Sequence, residues 1–130
     1  MVEINSADSV TLTTISGVGP SFASRILKYK NRLGGFNHIN QLREVYGIDS
    51  LKFEQIKYQV RVDGANIAFI NINDCTFEQL KTFPYLAYKQ SNAIIAYRKQ
   101  HGNYKNPADL SKIAILNAET IQKILPYLKF

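Results

Sequence analysis

Ile15-Ser16-Gly17-Val18-Gly19-Pro20 is the stretch on which the reading of this chain turns. Two glycines one residue apart let a backbone bend sharply and leave no Cβ to hold off an approaching group. Proline fits the first position of a helix, where its missing N–H has no intrahelical partner to lose. Beyond it, Phe22, Ile26, Tyr29 and Leu33 follow an i, i+4, i+7, i+11 stripe, which predicts an amphipathic helix over residues 20–33 facing a core. Gly34, tolerant of the left-handed conformation just past a helix end, stops it.

The same order recurs further along. Residues 4–62 align without a gap on residues 72–130 at an offset of 68, with identities at Ile4/Ile72, Asn5/Asn73, Leu12/Leu80, Thr14/Thr82, Ile26/Ile94, Tyr29/Tyr97, Gly34/Gly102, Leu42/Leu110 and Ile56/Ile124. Apolar phase is kept between them, as in Ile48/Leu116 and Val60/Leu128. The chain therefore holds two copies of one unit of roughly sixty residues. We expect a first domain at 1–62, a linker at 63–71 and a second domain at 72–130. Each unit is predicted as four short helices. Ser6 and Asp74 read as caps of the first, Asn106-Pro107 as a cap and first position of the third, and Asp49 and Asn117 as caps of the last. Val60/Val62, Asp63-Gly64 and Ile67/Phe69 allow a short β-hairpin in the linker, or an ordinary connection.

Composition narrows the function classes. The 130 residues are 45% apolar, too many for disorder, and a lone cysteine excludes an internally disulfide-held scaffold. No window approaches eighteen consecutive apolar residues, so no transmembrane segment is expected. Met1-Val2-Glu3-Ile4 lacks the pattern of a signal peptide, so any targeting segment is expected to be absent from this sequence. A net charge of +6 and a pI near 9.5 favour a polyanionic partner. That charge is divided evenly, with eight basic and five acidic residues in each of 1–62 and 63–130.

A short helix, the Gly17-Val18-Gly19-Pro20 turn and an amphipathic helix together resemble the helix-hairpin-helix motif. The wider order of Ile4-Asn5-Ser6-Ala7-Asp8, Leu12, Ile26 with Tyr29, and Gly34-x-Phe36 before Leu42 resembles the ComEA-type family. The resemblance implies an all-α fold of two tandem small domains, each of paired helix-hairpin-helix motifs of the SAM-like kind. It also implies sequence-independent binding of double-stranded DNA, in DNA uptake, competence or related DNA handling, by a bacterial protein that is exported or membrane-anchored. The chemistry follows from the turn itself. Backbone N–H groups at a helix start, aided by the helix dipole, make an anion site, and a site that touches phosphate fixes position without reading sequence. The expected phosphate-binding residues are Ser16, Gly17, Val18, Gly19 and Ser21, with Arg25 and Lys28 supplying charge, or lying on a solvated face.

The other three hairpins depart from this pattern. Tyr46-Gly47-Ile48-Asp49 puts a carboxylate where a phosphate would sit, and Ala114-Ile115-Leu116-Asn117 reads as packing plus a cap. Phe83-Pro84-Tyr85-Leu86-Ala87-Tyr88 has no glycine, which leaves Tyr85, Tyr88 and Lys89 as weaker second-unit contacts to a sugar-phosphate backbone. His38, His101 and Cys75 lack partners at triad or metal-ligand spacing, so no catalytic residue, metal or cofactor is expected. The tyrosines are expected in the core. The chain is therefore expected not to be an enzyme. A structural or protein-interaction module, contacting a protein partner through the second unit, is the alternative. The nucleic-acid-targeting piece of a larger nuclease or glycosylase is set behind both, since a glycosylase would need a downstream catalytic Asp in one contiguous domain, and unit two repeats unit one instead.

Overall fold

A computed structural model describes all residues from Met1 to Phe130, which divide into two compact units, Met1–Ala68 and Phe69–Phe130. Both are helical apart from two-residue strands. The first unit runs β1 (Val2–Glu3), α1 (Ser9–Leu12), α2 (Pro20–Leu33), a 3₁₀ segment at Ile39–Glu44, α3 (Ser50–Ile56) continuing into a 3₁₀ turn at Lys57–Gln59, then β2 (Val60–Arg61) and a 3₁₀ turn at Gly64–Asn66. The second runs β3 (Ile70–Asn71), α4 (Phe77–Lys81), α5 (Tyr88–His101), 3₁₀ at Pro107–Lys112, α6 (Ala118–Ile124), 3₁₀ at Leu125–Tyr127 and β4 (Leu128–Lys129). Helix α2 starts at Pro20 and α5 at Tyr88, which is the offset of 68 that the repeat predicts.

The repeated identities explain the packing. Ile4, Leu12, Ile26, Leu42 and Ile56, with their counterparts Ile72, Leu80, Ile94, Leu110 and Ile124, are all fully buried. Removing each from water contributes about 1.5–3 kcal/mol, which makes this shared set the core of each unit. The identical asparagines serve a different end. Asn5 Nδ2 donates to the Phe36 carbonyl at 2.8 Å while its Oδ1 accepts the Phe36 N–H at 2.6 Å. Asn73 repeats both bonds on Tyr104, at 3.0 and 2.7 Å. A side-chain amide thus stands in for a missing strand, pairing the backbone just past the end of the long helix.

Three expectations need correction. The linker β-hairpin is not formed. β2 pairs in parallel with β1, Val2 opposite Val60, and β3 pairs in parallel with β4, Ile70 opposite Leu128, so the two strands flanking Asp63-Gly64 close different units. Asp63 instead caps the 3₁₀ turn at Gly64–Asn66, its own N–H goes to the Glu3 carboxylate at 2.9 Å, and the Ala68 N–H reaches the Gly34 carbonyl at 2.7 Å. Residues 63–68 thereby make their hydrogen bonds inside the first unit. The first-helix caps are Asp8 and Thr76 in place of Ser6 and Asp74. In the first unit the preceding turn is already held by Glu3, which accepts from the N–H groups of Asn5 and Ser6. Burial alone would raise the Glu3 pKa, yet these bonds and those from Asp63 and Asn66 hold it below its usual range. Finally, the third helix of each unit takes the tighter 3₁₀ form that connecting turns commonly adopt.

Asn5→Ala orphans a buried N–H and C=O at Phe36. We expect the first unit to lose about 3 kcal/mol in urea denaturation followed by circular dichroism, with Ser6→Ala costing under about 0.5 kcal/mol.

Candidate nucleic-acid interface

The first hairpin is built by a clamp from the far end of its own unit. Gln59, on the 3₁₀ turn after α3, accepts the Ser16 N–H at 2.8 Å and donates to the Ser16 carbonyl at 3.0 Å. Val18 N–H bonds the Ile15 carbonyl, and the Val18 side chain is buried, anchoring the loop from beneath. Gly17 takes φ +96, a conformation that costs other residues about 1–2 kcal/mol. A Cβ there would also meet the tip of Gln55. Gly19 differs, having φ −90 and open space where a Cβ would stand. So the two glycines do separate jobs: Gly17 makes the bend, and Gly19 leaves the approach clear.

Two of the expected anion-site amides are therefore closed. Ser16 and Val18 have their N–H groups committed within the protein, which no local pattern of residues signals. What remains open is the start of α2, where the N–H groups of Gly19, Ser21 and Phe22 have no acceptor in the chain, and where Gly19 and Ser21 are exposed to solvent. Helix α2 spans 14 residues and no side chain caps it. Aligned dipoles over that length place about half a positive charge at this end.

The cation beside this end is one that sequence reasoning missed. Lys52, on α3, donates from Nζ to the Gly17 carbonyl at 2.9 Å and lies 4.9 Å from the centre of the Phe22 ring. Its signal was faint, since only the fold brings residue 52 to residue 17. Arg25 goes elsewhere. Its guanidinium rests against Phe22 and Tyr46, 5.4 and 5.1 Å from the ring centres, and approaches the Tyr46 carbonyl at 3.5 Å, bracing the second hairpin. Lys28 stays exposed one turn further along α2.

The remaining hairpins each carry a side-chain acceptor of their own at the helix start. Asp49 Oδ1 takes the Lys52 N–H at 2.8 Å, and Asn117 Oδ1 takes the Thr120 N–H at 2.8 Å, as their cap positions predict. In the third hairpin the Gln90 Oε1 accepts the Ala87 N–H at 2.8 Å. Ala87 stands at the position of Gly19 and Gln90 at that of Phe22, so the second unit engages with its own side chain one of the amides that the first leaves open. Lys89 and Tyr88 are exposed, while Tyr85 is partly covered, with Lys123 5.5 Å from its ring centre. Tyrosine burial also departs from expectation. Tyr104 and Tyr127 are buried, but Tyr46, Tyr58 and Tyr88 are 82%, 74% and 65% exposed. Cys75 is buried and burial pushes its thiol pKa up, against the opposing pull of Arg98, so it stands as a neutral packing residue.

The model for the helix-hairpin-helix motif matches residues 1–61 and again residues 65–129. The chain belongs to the helix-hairpin-helix family. Among curated proteins it is 42% identical over 62 residues, 48% of this chain and 30% of the relative, to ComE operon protein 1 of Bacillus subtilis (strain 168). It is also 28% identical to the Endonuclease/exonuclease/phosphatase family domain-containing protein 1 of Danio rerio, across 95% of this chain and 26% of the relative. The Homo sapiens protein of that name is 25% identical, across 95% and 27%. This helix-hairpin-helix chain thus spans about a quarter of the length of those relatives. No solved structure matches significantly. The expectation that the chain is not an enzyme is corrected by these relatives, whose names carry an endonuclease/exonuclease/phosphatase family domain. Two repeated units give no trace of such a domain, because the matched region holds the helix-hairpin-helix repeats and most of each relative lies outside it.

Substitution at the two glycines separates their roles. Gly17→Ala should destabilise the first unit by about 1–2 kcal/mol in urea denaturation. Gly19→Ala should stay within about 0.5 kcal/mol, because a weaker N-cap is offset by a less flexible unfolded chain.

Proposed function

We propose that this chain is a DNA-binding module that holds double-stranded DNA without regard to sequence, through phosphate contacts at the start of α2. The reading rests above all on the uncapped helix end, where three unpartnered N–H groups meet a helix dipole with the Lys52 ammonium close by. A phosphate oxygen supplies the acceptor that Asp49, Gln90 and Asn117 supply elsewhere. The phosphate-contacting residues we assign are Gly19, Ser21 and the Phe22 amide, with Lys52 and Lys28 as the cations and Gly17 shaping the turn. The likeness to ComE operon protein 1 supports a DNA-handling role at the level of the family. The domain organisation we propose is a first unit that binds and a second that has lost the binding hairpin.

Similarity to proteins with an endonuclease/exonuclease/phosphatase family domain extends this reading to the whole protein. In that setting the module tethers duplex DNA and raises its local concentration for a phosphodiester-cleaving domain on the same polypeptide. Sequence-independent tethering suits such a partner, since the substrate is the backbone common to all DNA. A DNA-uptake setting of the kind that the ComEA-type resemblance implies uses the same contacts.

Fluorescence anisotropy with a labelled random duplex tests the site. Wild type should bind unrelated sequences equally, with log K falling against log salt by about 0.9 for each phosphate engaged. Gly19→Asp installs the carboxylate that Asp49 carries in the second hairpin. It should keep helical circular dichroism while weakening binding about tenfold or more, and Lys52→Gln should lower the salt slope by about one. Unchanged binding by Gly19→Asp, or sequence-dependent binding by wild type, would overturn the proposed site, and no duplex binding at low salt would overturn the proposal in favour of a protein-interaction module.

A further inference from the structure

The second unit engages the Ala87 amide with its own Gln90 and, at the same place in the repeat, exposes an aromatic ring. Tyr88 is the first residue of α5, in the position that Pro20 holds on α2, and is 65% exposed. Its ring does not hang free. Phe77 of α4 meets it edge-on, with ring centres 5.0 Å apart and planes at 78°. A T-shaped contact of this kind fixes one ring while leaving a face of the pair uncovered. Lys89 follows directly and is exposed, with no carboxylate paired to it in the structure. The two acids of the neighbouring helix starts, Glu78 and Glu119, are each paired to a lysine of their own helix, Lys81 and Lys123.

We propose that Tyr88 is a stacking platform for an unpaired nucleobase, and that the second unit contacts single-stranded DNA at this ring. The proposal rests on the reading of the chain as a DNA-binding protein, but uses different atoms and a different form of the ligand. A rigid, solvent-facing ring offers its π-face to any base, and the adjacent Lys89 and the dipole of a 14-residue helix attract the phosphate beside it. Bases inside a duplex are stacked on each other and cannot reach such a ring, so the ligand is a strand end, a gap or an open strand. A protein partner for the ring is the competing reading. The basic surroundings favour nucleic acid, since the second unit carries eight Lys or Arg against four Asp or Glu.

The chain has no Trp, so Tyr88→Trp makes a single indole fluorophore at the proposed site. The probes are an oligothymidylate of about twelve nucleotides, an abasic oligomer of the same length and charge, and a blunt duplex, each titrated into the full chain. Indole emission from the Tyr88→Trp variant should be quenched by the oligothymidylate and not by the abasic strand. Tyr88→Ala should bind oligothymidylate roughly 5- to 150-fold more weakly than wild type and bind blunt duplex as wild type does. Equal affinity for the thymidylate and abasic strands, or an unaltered oligothymidylate affinity in Tyr88→Ala, overturns the stacking site and leaves the ring to a protein contact. Duplex binding without any single-strand binding overturns this proposal alone. Loss of both overturns it together with the reading of the first hairpin.

Discussion

A helix leaves its first N–H groups without intrahelical partners, and where this chain finds acceptors for them decides what each hairpin can do. Four of the six α-helices draw on a side chain, Asp8 for α1, Asp49 for α3, Thr76 for α4 and Asn117 for α6, while at α5 Gln90 reaches back to take the N–H of Ala87 just before the helix. Helix α2 draws on none. Hairpins that share a fold are thereby divided into closed ones, which hold the units together, and an open one, which has hydrogen-bonding capacity to offer a ligand. Leaving donors unsatisfied where water can reach them costs little stability, so the open site is compatible with a small domain of modest core.

The two units show how few substitutions separate these outcomes. Phe22 in the first unit corresponds to Gln90 in the second, and Gly19 to Ala87. Exchanging phenylalanine for glutamine brings an acceptor to the helix start. Phe22 instead gives Lys52 a ring to lie against while its ammonium reaches the Gly17 carbonyl. Gln59, which clamps Ser16, is Tyr127 in the second unit, a buried ring packed against Phe83. Capping, cation placement and loop anchoring therefore changed together, while the buried isoleucines and leucines and the Asn5 and Asn73 bonds stayed the same.

Much of the fold was legible because periodicity and repetition carry it. The stripe from Phe22 to Leu33 and the offset of 68 locate the long helices, and Gly34 and Gly102 mark their ends. The short parallel strands were not legible, because two residues are too few for an alternating pattern, and their partners lie almost sixty positions away. At the site, the turn and its glycines could be read from local chemistry. Lys52, Gln55 and Gln59 could not, since their part depends on α3 folding back over the first hairpin. Arg25 stood at helical spacing from the turn, yet spacing does not reveal that Phe22 and Tyr46 draw its guanidinium to the second hairpin. The exposed rings at Tyr46, Tyr58 and Tyr88 show the same limit. Alignment with apolar positions indicates burial only where both copies meet the same neighbours.

Whether the uncapped start of α2 is where the duplex docks can be measured directly by following backbone amide resonances of the isotopically labelled chain during titration with a blunt duplex. The N–H signals of Gly19, Ser21 and Phe22 should move most and saturate together, while those of Lys52, Ala87 and Thr120, already bonded to Asp49, Gln90 and Asn117, stay near their free positions. Shifts centred on the second unit, with the Gly19 to Phe22 signals unmoved, would contradict it.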